Sequence, residues 1–310
     1  MNYNFNTHTF PSSDGQHTIY SEIYTPKNKT AKGIVQLSHG MIDYTGRYLE
    51  LADYLTGEGY IFAGHNHLGH GKSAGSKEDF GFFGEENGAE FVLKDMYLMN
   101  KYLRHTFPTL PLYLLGHSMG SFISRLYVLE HPHTVSGLII HGTGGPNPLV
   151  SFGKVLAKAV RGIYGARHRS RLIKGLAFGS YNDRFDKSEG EWAWLTRDTD
   201  RIKDRDTDEY TSFIFTTQGY IDLFGFISRS NSKQWFMNYP KNLPTLIISG
   251  DMDPVGNYGK GPREIYKRLM IAGCTALNIK SYEGARHELF NETNREEVFR
   301  DLVKWLNGAR

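Results

Sequence analysis

Short apolar runs alternate with amphipathic stretches along the first half of the chain. Residues 33–39 and 60–63 are compact apolar runs with the length and composition of buried strands. Between these runs, residues 45–58 place apolar side chains at helical spacing, in a helix that ends at Gly57 and Gly59. Alternating strands and helices are typical of parallel βαβ units, whose functional residues gather at the carboxyl ends of the strands. The pattern therefore predicts an α/β fold.

The same pattern divides the chain into a core and an insertion. The predicted strands are residues 6–12, 17–25, 33–39, 60–63, 111–115, 136–141, 244–250 and 275–282. The predicted helices of the core are residues 45–58, 87–106, 121–129, 261–272 and 295–307. From about residue 145 to 235 the strand pattern gives way to helical or irregular segments rich in aromatic and charged residues. We therefore predict a core of residues 1–145 and 236–310 that carries a helical cap, or lid, of residues 146–235.

Residues 116–120 spell Gly-His-Ser-Met-Gly at the junction of a predicted strand and a predicted helix. Gly-x-Ser-x-Gly in this position forms a nucleophile elbow, a cramped turn that projects the serine hydroxyl out of the sheet. Its glycines lack a Cβ that would clash with neighbouring backbone. Because the same pattern also occurs in ordinary turns, the flanking strand and helix favour the catalytic interpretation. Ser118 is therefore the predicted nucleophile.

A serine hydroxyl is a weak nucleophile and needs a base, usually a histidine oriented by a carboxylate. In hydrolases with such an elbow, the chain order is serine, acid, histidine. Asp251 and Asp253 both follow the predicted strand 244–250, and turn geometry favours Asp253 because it lies deeper in the loop. His287 lies between the last predicted strand and the last predicted helix. We predict Asp253 as the acid, with Asp251 as its alternative, and His287 as the base.

Acyl transfer also needs N–H donors where the carbonyl oxygen becomes negatively charged. The residue after the nucleophile supplies one donor, which here is the backbone N–H of Met119. The loop after the third strand supplies the other, which makes the N–H of Met41 the candidate. His39 precedes the glycine turn of this loop, so we predict a structural role for it rather than a role as base.

A histidine-rich tract at residues 65–73 raises the alternative of a metal site. No carboxylate or cysteine near His65, His67 and His70 completes a ligand set, and the intervening glycines indicate a tight loop. We therefore predict no metal and no other cofactor.

Composition excludes several classes of protein. A net charge of +3 over 310 residues is small for a nucleic-acid-binding protein, and no basic run carries interleaved aromatic residues. Cys274 is the only cysteine, and its neighbours predict a buried strand thiol without a chemical role. No apolar segment approaches the roughly twenty residues of a membrane span, and no secretory leader is recognisable. We expect a cytoplasmic protein whose partner is a small molecule, and no particular oligomeric state is predicted.

Taken together, these motifs resemble the α/β-hydrolase fold and, more narrowly, its monoacylglycerol lipase and lysophospholipase-like branch, which includes relatives classed as serine aminopeptidases. The matching segments span most of the chain: residues 39–40, 47–48, 69–73, 116–120, 250–253 and 283–287. The resemblance implies a mostly parallel eight-stranded sheet flanked by helices, with an inserted helical cap. One departure is Asn66, where the family commonly has an aspartate with a mainly structural role.

The resemblance also implies a serine hydrolase that cleaves a carboxylic ester of glycerol and one fatty acid through an acyl-enzyme. Lysophospholipids, feruloyl esters and other small esters are alternative substrates, because one catalytic site on this fold serves many compounds. An alternative of another class is a non-hydrolytic relative that binds a small ligand under the cap. The intact serine, acid and histidine argue against that alternative.

The first part of the predicted cap is basic. Residues 146–182 contain no acidic residue and seven basic ones: Lys154, Lys158, Arg161, Arg167, Arg169, Arg171 and Lys174. Apolar residues recur there at helical spacing and are expected to pack on the core: Leu149, Phe152, Leu156, Val160 and Ile163. The alternative is a lid that makes transient contact with an anionic lipid surface. The aromatic second half of the cap is a candidate wall for an acyl pocket.

Overall fold

The computed structural model describes residues 1–309, in which one eight-stranded sheet carries helices on both faces. The strands are β1 (Tyr3–Pro11), β2 (Thr18–Pro26), β3 (Gly33–Ser38), β4 (Tyr60–His65), β5 (Leu112–His117), β6 (Gly137–His141), β7 (Thr245–Gly250) and β8 (Leu277–Tyr282). They lie in the order β1-β2-β4-β3-β5-β6-β7-β8. Both pairings of β2 are antiparallel and the others are parallel. The predicted mostly parallel sheet of eight strands is confirmed. Residue 310, the end of the predicted second core segment, lies outside the described residues.

Ten α-helices are described over residues 1–309. They are α1 (Leu49–Gly57), α2 (Gly88–Thr106), α3 (Met119–Glu130), α4 (Leu149–Tyr164), α5 (Arg171–Phe178), α6 (Thr199–Thr207), α7 (Thr217–Ser230), α8 (Lys233–Asn238), α9 (Lys260–Ile271) and α10 (Arg295–Gly308). Helices α1 and α10 contribute to one apolar cluster, and α2, α3 and α9 contribute to the other. Every residue of β3, β5, β6 and β7 is buried, because helices cover the sheet on both faces.

Helices α4 to α8 lie between β6 and β7, and no strand occurs among residues 142–244. Helix α7 is buried along most of its length and packs against α2, α3 and α4. Helix α4 packs chiefly on α7, so only a narrow strip of its surface is covered. The expected apolar stripe of α4 is accordingly wrong in part: Val160 is buried, whereas Leu149, Phe152 and Ile163 are 71%, 65% and 75% exposed.

The position of Cys274 and the character of the helices bear on two further predictions from the sequence. Cys274 is buried, but it lies in the loop before β8, which begins only at Leu277, and is therefore not a strand residue. None of the helices described in residues 1–309 has the length and apolar character needed to cross a bilayer. The cytoplasmic location stays a prediction.

Candidate active site

Ser118 stands at the sharp turn between β5 and α3. Its backbone has φ +52° and ψ −118°, a strained conformation that non-glycine residues rarely adopt and that concentrates at functional sites. Its N–H donates to the carbonyl of His141 over 2.9 Å, which fixes the turn against β6. A Cβ at Gly120 would overlap the carbonyl oxygen of Ser38, and one at Gly116 would lie 2.5 Å from the carbonyl oxygen of Gly120. Only glycine fits at both positions, so the sequence motif is explained by crowding around the turn.

Asp253 and His287 come together from two loops at the same edge of the sheet. Asp253 follows β7, and His287 lies in the loop between β8 and α10. His287 Nδ1 lies 2.9 Å from Asp253 Oδ2, and the two side chains are only 2% and 0% exposed. The other oxygen, Asp253 Oδ1, accepts a hydrogen bond from the N–H of Val255 at 2.9 Å. The carboxylate is thereby aimed at the imidazole.

Asp251 has a different neighbour. Its Oδ1 accepts a hydrogen bond of 2.7 Å from the backbone N–H of Gly284, which has φ +66°. Asp251 therefore shapes the turn that precedes the histidine loop. Of the two aspartates considered from the sequence, the structure brings Asp253 to His287.

The His287 ring lies beside the residues that flank Ser118. Its centroid is 5.0 Å from that of His117, the residue before Ser118. A Cβ at Gly142 would lie 3.0 Å from His287 Cε1, and Gly142 directly follows the carbonyl that holds the Ser118 N–H. The acid–base pair and the elbow thus meet at the carboxyl ends of β5, β6 and β7.

The loop after β3 closes over the same point. A Cβ at Gly40 would lie 3.3 Å from the Cβ of Ser118, so the loop that contains Met41 runs directly against the elbow. Met119 is the first residue of α3, where helix N–H groups have no acceptor within the helix. The helix dipole adds a partial positive charge at this end. Both predicted oxyanion donors therefore lie on segments that border Ser118.

The histidines of the tract 65–73 and His39 form a buried aromatic group beside this loop. His39 Nε2 accepts the N–H of His67 at 2.9 Å, and His39 Nδ1 lies 2.9 Å from the carbonyl of Gly40, which is a structural arrangement. Burial lowers the pKa of His39 to about 3 and the pKa values of His65 and His70 to about 4. Within residues 1–309, no three His, Cys, Asp or Glu side chains are arranged to hold a metal ion.

Asn66 keeps a structural role at the position where the family commonly has aspartate. Its Oδ1 accepts the N–H of Thr45 at 3.0 Å, which ties the tract 65–73 to the loop after β3.

The segment between α5 and α6 covers the histidine loop. The ring centroid of Trp194 lies 5.1 Å from that of His287, and Tyr181 packs against Trp194 at 5.0 Å. The N–H of Glu288 donates to the carbonyl of Leu195 at 2.7 Å. From the sequence, Trp194 was only one of several aromatic residues of the cap; the structure places its ring against the imidazole.

A buried charge network also lies behind the site, and only one of its members, Arg47, belongs to a segment that resembles the family. It consists of Asp43, Arg47, Arg205 and Glu288, whose side chains are at most 12% exposed. Glu288 directly follows His287 in the sequence, and this position next to the predicted base is the one local indication that Glu288 belongs to the site. Nothing in the sequence around Arg205 distinguishes it from the many other charged residues of α6.

The chain is similar to known lipases and esterases. A monoglyceride lipase homolog of Monkeypox virus is 27% identical over 293 residues, which cover 93% of this chain and 94% of that protein. The monoglyceride lipase of Homo sapiens is 27% identical over 305 residues, which cover 96% of this chain and 88% of the human protein. The crystal structure of a carboxyl esterase from Bacillus coagulans in complex with glycerol superposes with a TM-score of 0.91 at 28% identity, covering 98% of each chain.

The resemblance inferred from the sequence motifs is confirmed by these relatives. The model of the family described as serine aminopeptidase, S33, matches residues 29–294, which include the elbow, both aspartates and the histidine loop. The chain therefore belongs to the serine aminopeptidase S33 family of α/β hydrolases.

Proposed function

We propose that this protein hydrolyses monoacylglycerols with Ser118 as nucleophile, His287 as general base and Asp253 as the acid that orients it. The chain is a carboxylic-ester hydrolase, the class of its esterase and lipase relatives. The observation that carries the assignment of residues is the buried Asp253–His287 pair at 2.9 Å beside the strained Ser118 turn. A buried carboxylate paired to one imidazole nitrogen leaves the other nitrogen free to act as a base.

In the acylation step, Ser118 Oγ attacks the ester carbonyl carbon while His287 Nε2 takes the hydroxyl proton. Asp253 holds the proton on Nδ1 and stabilises the imidazolium that forms. The backbone N–H groups of Met119 and Met41 donate to the carbonyl oxygen as it becomes negative. The carbon–oxygen bond to the alcohol then breaks, and the alcohol oxygen receives the proton from His287.

In the deacylation step, His287 takes a proton from a water molecule, which attacks the acyl-enzyme. The second tetrahedral oxyanion accepts hydrogen bonds from the same two N–H groups. The bond between the acyl carbon and the Ser118 oxygen then breaks, and that oxygen receives the proton from His287. The free fatty acid is the second product. Every step uses groups of this chain and water alone.

Glycerol esters of one fatty acid are proposed as substrates because relatives of this chain act on such esters or bind glycerol. The human relative is a monoglyceride lipase, and the structure of the esterase from Bacillus coagulans is a complex with glycerol. Initial rates on monoacylglycerols, lysophosphatidylcholine, feruloyl esters and p-nitrophenyl esters of increasing chain length would test this choice. We expect the highest kcat/KM on a monoacylglycerol, and a higher value on lysophosphatidylcholine or a feruloyl ester would overturn it.

Labelling with a fluorophosphonate probe tests the nucleophile directly. We expect the wild-type chain to be labelled and the Ser118→Ala variant to be unlabelled and inactive at an unchanged melting temperature. Loss of the nucleophile costs several orders of magnitude in kcat, because the three residues act as a unit. An unlabelled wild-type chain that binds a small ligand would favour the non-hydrolytic alternative.

We also propose that α4 and α5 make transient contact with a lipid surface. Seven of the thirteen large apolar side chains that are exposed in residues 1–309 lie on these helices: Leu149, Phe152, Val155, Ile163, Tyr164, Leu172 and Leu176. An apolar patch bordered by basic side chains is typical of segments that rest in the interface of a membrane. The contact would bring the cap to the substrate source.

Co-sedimentation with anionic vesicles tests this contact. Each basic residue near an anionic surface contributes about 1 kcal/mol at low salt, so Lys154, Lys158 and Arg161 together contribute at most about 3 kcal/mol, since Arg161 also pairs with Glu85. Replacing all three with glutamine should weaken pelleting by up to about a hundredfold and spare hydrolysis of a small soluble ester. The matched control replaces three exposed lysines outside these helices: Lys101, Lys267 and Lys304. Equal pelleting of the two triple variants would refute the proposed contact.

A further inference from the structure

The loop that contains the Met41 donor is held by one buried carboxylate. Asp43 Oδ2 accepts the N–H of Gly40 at 3.2 Å and the hydroxyl of Tyr48 at 2.7 Å. The other oxygen, Asp43 Oδ1, accepts the N–H of Tyr44 and a guanidinium N–H of Arg47, both at 2.9 Å. The course of the loop past Ser118 therefore depends on the position of this carboxylate.

The same loop is strained at Ile42. Its φ is +53°, a strained value that a β-branched residue adopts only where its surroundings impose it. The carbonyl of Ile42 accepts a 3.0 Å hydrogen bond from Arg205 Nη2, on helix α6 of the insertion. A contact from outside the core thus helps to fix the peptide next to Met41.

Glu288 connects this loop to the catalytic histidine. Its carboxylate receives two hydrogen bonds from Arg47, at 3.1 and 2.8 Å, and Arg47 also bonds Asp43. Arg205 Nη1 lies 3.7 Å from Glu288 Oε1. Because Glu288 directly follows His287, the loop of the base and the loop of the oxyanion donor are joined by one continuous set of ionic contacts.

The four charges balance, which makes the set stable only as a whole. Burial alone would raise the pKa of Glu288, but Arg47 and Arg205 lower it to about 2, and Arg47 likewise keeps the pKa of Asp43 well below its usual value. Both carboxylates are therefore ionised at neutral pH. Removing one partner of such a buried set leaves the others uncompensated, so the remaining side chains and loops must move.

We propose that Arg205 and Glu288 are positioning residues, which hold the Met41 loop and the His287 loop in register when helix α6 is seated on the core. This inference rests on the proposed function, since it assumes that Met41 donates to the oxyanion and that His287 is the base. It adds that the helical insertion does more than cover the substrate. Its seating completes the geometry that stabilises the transition state.

The test compares two variants of the network with a matched control. In Arg205→Leu and Glu288→Gln we expect kcat on p-nitrophenyl butyrate to fall about 10- to 100-fold, less than the loss of a whole oxyanion donor. KM should change by less than about threefold. The affinity for butylboronic acid, which forms a tetrahedral adduct with the serine, should fall in parallel with kcat, because that adduct uses the same donors. A merely structural role would move the melting temperature without this parallel.

Arg201→Leu is the control, because Arg201 lies on the same helix but pairs with Glu50, an exposed residue that is not a member of the network. Its kcat should remain within about twofold of wild type, as surface ion pairs contribute little. The double variant Arg205→Leu/Glu288→Gln should lose much less than the product of the two single losses, because both act through one network. Arg205→Lys should be intermediate, since one ammonium can serve the Ile42 carbonyl.

Unchanged kcat and boronate affinity in a folded Arg205→Leu chain would overturn the inference, and so would an equal loss in Arg201→Leu. If Arg205→Leu does not fold, Arg205→Lys and Glu288→Gln decide by the same criteria. Fluorophosphonate labelling distinguishes a failure of the proposed function from a failure of the positioning role alone. An unlabelled wild-type chain refutes the proposed function, whereas variants labelled at the wild-type rate refute only the positioning role.

Discussion

Exchanging Asp253 for asparagine changes one buried charge with almost no change of shape. The asparagine Oδ1 can keep the hydrogen bond from the N–H of Val255, which Asp253 Oδ1 accepts at 2.9 Å. Its amide N–H₂ then faces His287 Nδ1, where the carboxylate stood. An N–H₂ group donates, so Nδ1 must become the acceptor and the ring proton moves to Nε2. The imidazole then presents a proton to Ser118 in place of a lone pair.

The size of the effect follows from the distance between the pair. For unit charges 2.9 Å apart, an effective dielectric constant of about 20 gives an attraction of roughly 6 kcal/mol. Because the charges spread over the ring and both oxygens, an effective separation of about 4 Å and about 4 kcal/mol is more realistic. At 1.36 kcal/mol per factor of ten, the imidazolium of the transition state loses stabilisation equal to about 10³- to 10⁴-fold in kcat.

The assay is kcat and KM on p-nitrophenyl butyrate for Asp253→Asn, beside Asp251→Asn as the matched control. We expect KM to change little in both variants and kcat to collapse only in Asp253→Asn. In Asp251→Asn the amide oxygen can still accept the Gly284 N–H, so a loss of less than about tenfold is expected. A larger loss in Asp251→Asn than in Asp253→Asn would transfer the role of acid to Asp251 and refute this reasoning.

Two further predictions concern metal ions and the stability of the fold at low pH. EDTA should leave kcat unchanged, and inactivation reversed by zinc would restore the metal hypothesis for His65, His67 and His70. Since burial lowers the pKa of His65 to about 4, the unfolded chain takes up this proton first as pH falls below about 6.5. Stability is therefore lost on acidification, by about 2 kcal/mol at pH 5 for this one group. His65→Leu should recover that amount in urea unfolding at pH 5 relative to pH 7.5, and an unchanged difference would disprove it.

Local sequence patterns determined most of the fold and the location of the chemistry. Apolar runs and helical spacing placed the strands and helices of the core to within a few residues, because side-chain periodicity reflects backbone geometry over short distances. The elbow around Ser118 is equally local, since its glycines are required by contacts within one turn. The elbow motif supplied the order of the candidate catalytic residues, and the family resemblance implied that the eight predicted strands form one mostly parallel sheet.

Only the tertiary structure decided which distant groups meet. The two aspartates lie two positions apart in one loop, yet one faces His287 and the other a backbone N–H, a difference that depends on how β7 and β8 are aligned. The exposed side of α4 depends on how little of it α7 covers. The four charges of the buried network come from three separate parts of the chain. Burying these charges is tolerable only because the fold pairs each with an opposite charge. A local sequence pattern cannot indicate a pair such as Arg47 and Glu288, because its members lie more than a hundred residues apart in the chain.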